Sequence, residues 1–204
     1  MNHSTSDLIL HCIDFRFTNT LYSEGLYDEL SYAGGCLCVL DDDTNTHKLD
    51  DILTENGEAY FKMHLKLSIK LHNIKNIHLV DHEDCGVYNS LYPDVKNEED
   101  KFSIHKNNLL LAEDKLKNII EDISTELNNV HILNIKKNIH LFYAKLDMSV
   151  INIKTGEIKI PKSYYYRICR ILGYIKKNGR MCIKRFYWQS FRFFSQALGK
   201  EAPL

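Results

Sequence analysis

An α/β domain on a mostly parallel open sheet, about four parallel strands plus an antiparallel edge strand covered by helices, is the fold this sequence predicts. Short apolar runs ending in polar residues recur at Asp7-Leu-Ile-Leu-His-Cys-Ile13 and Ile77-His-Leu-Val-Asp81, as in strands buried on both faces. Longer segments with helical character lie between and after them, as parallel pairing requires. The chain has 204 residues, 44% of them hydrophobic, which suits one domain with a real core plus an appendage.

The first strand is read at residues 7–13. The second lies in the stretch Leu30–Leu40, where Gly34-Gly35 marks a turn or a close backbone approach. A polar loop follows from Asp41 to His47. Phe61–His72 alternates strictly between apolar and polar residues and matches a strand by period, but the crossover between parallel strands requires a helix, and its Leu, Met and Lys residues sustain one. It is therefore read as helix. Ile77–Asp81 is the third strand, and Ile104–Leu127 is a helix with Leu109, Leu110, Leu116, Ile119, Ile120 and Ile123 near helical spacing. Val130–Ile135 reads as strand four, and residues 140–160, with a Thr155-Gly156 turn, as one or two terminal strands.

Pro161 closes this domain, residues 1–160, and a basic tail occupies 161–204. The tail holds ten Lys/Arg against Glu201 alone, leaving 16 bases and 26 acids in the body, so a formal net charge of −1 conceals opposite halves. Apolar stripes through Tyr164, Ile168, Ile171, Leu172 and Ile175, and through Ile183, Phe186, Tyr187, Phe191, Phe194 and Leu198, predict a C-terminal extension of two amphipathic helices. Packing on the body or a second subunit is the plainest role for it. Its bases with Trp188 and several Phe also suit peripheral contact with an anionic membrane or nucleic acid. No leader pattern and no run of about 18 apolar residues is present, which predicts a soluble, cytoplasmic protein.

Six cysteines without the spacing of a small disulfide scaffold direct attention to metal binding or simple burial. His82-Glu-Asp-Cys85-Gly86 puts an imidazole and a thiolate three residues apart in a turn after a strand, and Cys12-Ile-Asp14-Phe-Arg16 stands at the end of another strand. Strand ends of open α/β sheets are where ligands bind. Cys12, His82 and Cys85 would supply the three N/S ligands of a catalytic zinc site with one position open. Alternation places Cys12, Asp14 and Arg16 on one side if the strand continues. His11 and His78 read as packed or solvent-facing histidines, Cys36 and Cys38 as buried residues alternating on a strand, and Glu83 and Asp84 as a solvated turn.

These motifs together resemble the β-class carbonic anhydrases, whose signature is Cys-x-Asp-x-Arg, then a strand containing Ala-Gly, then His-x-x-Cys. The chain has Cys12-Ile-Asp-Phe-Arg16, Ala33-Gly34 and His82-Glu-Asp-Cys85 in that order, and the resemblance runs from residue 7 to about 160. It implies reversible hydration of carbon dioxide to bicarbonate by zinc-bound hydroxide, with Cys12, His82 and Cys85 on Zn2+. Asp14 would orient the nucleophile and Arg16 hold Asp14, while backbone N–H groups of Ala33, Gly34 and Gly35 would meet the substrate. It also implies a homodimer or higher homo-oligomer. Ser31-Tyr32 replaces the Arg-Asn that many members carry before Ala-Gly, and strand one begins too near the start for the N-terminal helices by which many members embrace a partner. The same donor set would also serve a hydrolase of carbonyl sulfide or carbon disulfide, or a non-catalytic zinc-stabilised binding module.

Overall fold

The computed structural model describes residues 5–14, 27–40, 57–147 and 149–159, and the backbone of 175–177 and 180–182. Strands β1 (Asp7–His11), β2 (Tyr27–Ser31), β3 (Asn76–His82), β4 (Ile139–Ala144), β5 (Val150–Asn152) and β6 (Ile158–Lys159) form one sheet in the order β2-β1-β3-β4-β5-β6. The pairings among β2, β1, β3 and β4 are parallel, and those of β5 with β4 and β6 with β5 are antiparallel. The expected four parallel strands are present. The antiparallel edge is a pair of short strands rather than one.

Helices α1 (Leu37–Leu40), α2 (Gly57–His72), α3 (Gly86–Leu91) and α4 (Glu98–Glu126) join a 3-10 helix at Val130–Lys137. Alternation sends Leu8, Leu10, Ile77, Leu79, Ile139 and Leu141 to one sheet face, where they share a core with Phe61 and Leu65 of α2 and Leu109, Leu116, Ile120 and Ile123 of α4. A smaller cluster of Ile9, Val80, Ala144 and Val150 occupies the other face. Asn97 caps α4 by accepting the Glu99 N–H at 2.9 Å, and Glu98, Glu99 and Asp100 complement the helix dipole in its first turn. Past the ends of α2 and α4, Asn73 and Asn128 take positive φ, a conformation Asn tolerates better than most residues.

The Phe61–His72 segment is helical. Phe61, Leu65 and Ser68 are buried, whereas Met63, Leu67 and Leu71 point outward, so the apolar residues are divided between two sides and imitate a strand period. Val130–Ile135 is not strand four. Ile132 and Ile135, three apart, are the buried residues of a 3-10 turn, Val130 is exposed, and strand pairing with β3 begins at Ile139 opposite Ile77. The stretch 30–40 also differs from the strand expected: after Ser31 it turns through residues 33–36 and enters α1. Cys36 and Cys38 therefore sit in a turn and a helix, both fully buried. Leu110, placed on the apolar stripe of α4 by spacing, is partly exposed.

Contacts divide the chain into Met1–Pro161 and Lys162–Leu204. In the second unit β7 (Ile175–Lys177) and β8 (Arg180–Cys182) pair as an antiparallel hairpin, with Lys177 opposite Arg180. Helix was expected there. The sequence between the paired strands is Asn178-Gly179, a dipeptide whose turn signal is stronger than the helical stripe through Ile175. The remainder of the expected tail helices lies outside the described residues. No helix among the described residues is long and apolar enough to cross a membrane.

Gly34 and Gly35 take φ of +83° and +57°, and a Cβ on Gly35 would stand 2.7 Å from Asp81 Oδ1 and 3.0 Å from the Val80 carbonyl oxygen. Gly35→Ala is expected to lose more than about 1 kcal/mol in denaturant unfolding, from the left-handed backbone and the clash together; an unchanged midpoint would refute this tight approach. Leu116→Ala should cost about 2–5 kcal/mol, and Leu111→Ala, on the exposed side of α4, less than about 0.5. Equal costs would mean that α4 presents a different face to the sheet.

Candidate metal centre

Parallel pairing of β1 with β3, with His11 opposite Val80, brings the carboxyl ends of these two strands side by side. Cys12 is the residue after β1, and His82 is the last residue of β3. The chain then turns, with the Glu83 N–H donating to the Ala144 carbonyl at 2.8 Å and Asp84 at φ +56°, so that Cys85 returns to cap α3. The two Sγ atoms are 3.9 Å apart, and one ligand atom from each of Cys12, His82 and Cys85 lies within 4.8 Å of the others. All three residues are buried. A tetrahedron with zinc–sulfur bonds of about 2.3 Å has an S–S edge of about 3.8 Å, so the spacing of this donor set fits a zinc ion. His82 Nδ1 donates to the Glu83 carbonyl at 2.8 Å, and this tautomer gives Nε2 the lone pair that a metal needs.

The electrostatics favour a thiolate here. A hydrogen bond from the Cys85 thiol, with the contact to His82 and the backbone N–H groups of Gly34 and Asp14, outweighs burial and holds Cys12 well below the ordinary thiol value. The same Cys12–Cys85 hydrogen bond, with burial and the Cys12 charge, pushes the Cys85 thiol up. Burial would lower His82, but its contact with Cys12 and the nearby charges of Cys12 and Asp14 raise it. The pocket therefore concentrates negative potential, which a dication would neutralise.

Asp14 is half-buried just past Cys12, and its carboxylate acts on His82. Arg16 lies outside the described residues. Ala33 is half-buried in the turn beside the site, and Gly34 and Gly35 are buried. The Gly34 N–H is directed at Cys12 Sγ, and the Gly35 N–H donates to the Tyr32 carbonyl at 2.9 Å. His11 is packed, bonded through Nδ1 to the Cys12 carbonyl at 2.6 Å and through Nε2 to Glu29 at 2.8 Å. His78 pairs with Asp7 at 2.8 Å and stacks on His140. Glu83 accepts the Leu146 N–H, and Asp84 accepts from Asn89, as turn residues do. Cys38 donates to the Gly57 carbonyl, and among the described residues neither it nor Cys36 belongs to a metal-ligating group.

Asp81, which the sequence reading passed over, is buried beside the site. Its Oδ1 accepts the Cys36 N–H at 3.0 Å, and its Oδ2 accepts the Tyr88 hydroxyl at 2.7 Å, His105 Nδ1 at 3.0 Å and the Cys36 thiol at 3.2 Å. Burial alone would raise this carboxyl, but the His105 hydrogen bond and charge, with the Cys36 and Tyr88 donors, hold it below the ordinary value. Burial and the neighbouring Asp81 charge push both Cys36 and Tyr88 up, so these groups remain protonated donors. A signal existed in the sequence: alternation puts Asp81 on the same face as Ile77 and Leu79, where a carboxylate must find donors.

Neither protein-family models nor curated proteins give a match to the chain. Among solved structures it is similar to the β-carbonic anhydrase CcaA, with 14% identity over 79% of this chain and 85% of that one and a TM-score of 0.47. It is also similar to the β-carbonic anhydrase CafA of Aspergillus fumigatus, with 9% identity over 83% of each chain and a TM-score of 0.45. A carbon disulfide hydrolase in its apo form is 16% identical over 82% of this chain and 83% of that one, with a TM-score of 0.32. The two anhydrases carry the family name that the sequence motifs resemble.

Proposed function

We propose that this chain is a zinc lyase of the β-carbonic anhydrase type, hydrating carbon dioxide reversibly to bicarbonate. The observation that carries the reading is the convergence of Cys12, His82 and Cys85 from two adjacent strand ends into one buried donor set next to Asp14. Cys12, His82 and Cys85 would hold zinc as three protein ligands and so leave room in its coordination for water or substrate. When bound, zinc supplies the Lewis acidity that makes water a nucleophile near neutral pH.

The chain's own residues orient and select. The Asp14 carboxylate would accept a hydrogen bond from the nucleophile and so fix the direction of its remaining lone pair. By the resemblance, Arg16, two residues on, would keep Asp14 oriented through charge-assisted hydrogen bonding. The Gly34 and Asp14 N–H groups hold the Cys12 thiolate from behind. Ala33, Gly34 and Gly35 form the wall along which the substrate lies, since the two glycines keep the backbone close to the strand ends.

Stopped-flow hydration of carbon dioxide by protein of measured zinc content tests the reading. Asp14→Ala should retain zinc and lose about 10²-fold or more in kcat, whereas Cys85→Ser should lose zinc itself. A fully zinc-loaded sample without turnover from about pH 6 to 9 would overturn the lyase reading. Turnover of carbonyl sulfide or carbon disulfide alone would reassign the substrate, and zinc without any turnover would leave a metal-stabilised binding module.

The resemblance also supports self-association, as does the outward stripe of Met63, Leu67 and Leu71 on α2 near the edge strand β2. Sedimentation should give a dimer or larger species that Leu71→Glu weakens. A monomer at all concentrations would refute it.

A further inference from the structure

All three candidate ligands are one link from the same buried carboxylate. Asp81 is the chain neighbour of His82. Through Oδ2 it accepts the hydroxyl of Tyr88, in the first turn of the helix that Cys85 caps. Through Oδ1 it accepts the N–H of Cys36, in the turn whose Gly34 N–H is directed at Cys12 Sγ. His105 joins this carboxylate to α4, the longest of the described helices, and its ring lies 3.6 Å from that of Tyr88 between centroids.

We propose that Asp81 is a positioning residue for the metal centre: its carboxylate, gripped by Cys36, Tyr88 and His105, fixes the relative placement of Cys12, His82 and Cys85. This rests on the metal reading above and adds a residue that its motifs do not contain. A buried carboxylate is costly to desolvate unless fully hydrogen-bonded, and an apolar residue on this core-facing position would avoid that cost. What an apolar residue lacks is direction. Four donors from three separate segments converge on two oxygens, and movement of any one segment lengthens a charge-assisted hydrogen bond. Outer partners of this kind commonly change metal affinity by about 10–100-fold when removed.

Asp81→Asn retains the shape but brings an amide NH2 among groups that now donate. On the Oδ1 side it would face the Cys36 backbone N–H, which cannot turn round, so the NH2 is directed to the Tyr88, His105 and Cys36 thiol side. Tyr88→Phe removes one donor and keeps the ring.

The test uses the full chain loaded with cobalt(II), whose visible and thiolate charge-transfer bands report ligand geometry, together with zinc affinity from competition against a chromophoric chelator. Asp81→Asn should shift the cobalt bands and weaken zinc at least about tenfold, and Tyr88→Phe should move both the same way by less. Leu116→Ala, remote from the cluster, should lower thermal stability with the bands and affinity unchanged. Asp81→Asn with wild-type bands and affinity within about twofold overturns the positioning role, whatever its melting temperature. Should Asp81→Asn not fold, Tyr88→Phe decides by the same criterion. A wild-type chain that takes up neither metal overturns the metal reading and this proposal with it, whereas metal uptake with unshifted variants overturns this proposal alone.

Discussion

The parallel pairing of β1 with β3 is the constraint from which the site follows. The two strands are separated by more than sixty residues of sequence, yet their register places His11 opposite Val80 and so brings Cys12 against the end that carries His82. A slip by one residue would turn His82 to the core face and Asp81 to the site. The register is held by burial on both faces, with Leu8, Leu10, Ile77 and Leu79 on one side and Ile9 and Val80 on the other. Side-chain packing far from the donor atoms thus fixes where they meet.

Once the strand ends are placed, charge decides what they can hold. Two thiols and an imidazole share a pocket shielded from water, and the hydrogen bonds directed at Cys12 favour its ionised form. Immediately beneath, Asp81 carries a second negative charge satisfied by four donors. Paired negative groups in a dry interior are costly without compensation. Here the compensation comes from donors below and suits a dication above, which makes folding of this corner and its ligand affinity two aspects of one balance.

The parts of the fold most legible in the sequence were those with one dominant cause. The runs at residues 7–13 and 77–81 could be recognised because burial on both faces leaves few polar residues, and the two ligand motifs because they stand at the ends of those runs. Where two causes competed, pattern alone misled. Val130–Ile135 has the composition of a strand, but Ile132 and Ile135 are all of it that reaches the core, and their spacing of three belongs to a 3-10 turn. Residues 30–40 looked continuous because Cys36, Leu37, Cys38 and Val39 are uniformly buried, a property that a turn and short helix share with a strand. The Asp81 cluster was hidden for another reason: its members, at 36, 81, 88 and 105, come from four segments that no local pattern connects.

Helix α2 has a consequence for how the chain reaches this state. In the fold its apolar residues divide between a buried side and an outward one, but in an extended chain Phe61, Met63, Leu65, Leu67, Ile69 and Leu71 all fall on one face, with Lys62, Lys66 and Lys70 on the other. Before it docks, this segment is a well-formed amphipathic strand, able to pair with another chain as readily as it coils onto its own. Its lysines act as gatekeepers against that outcome. Docking of Phe61 and Leu65 into the core takes that part of the apolar face out of reach of another chain.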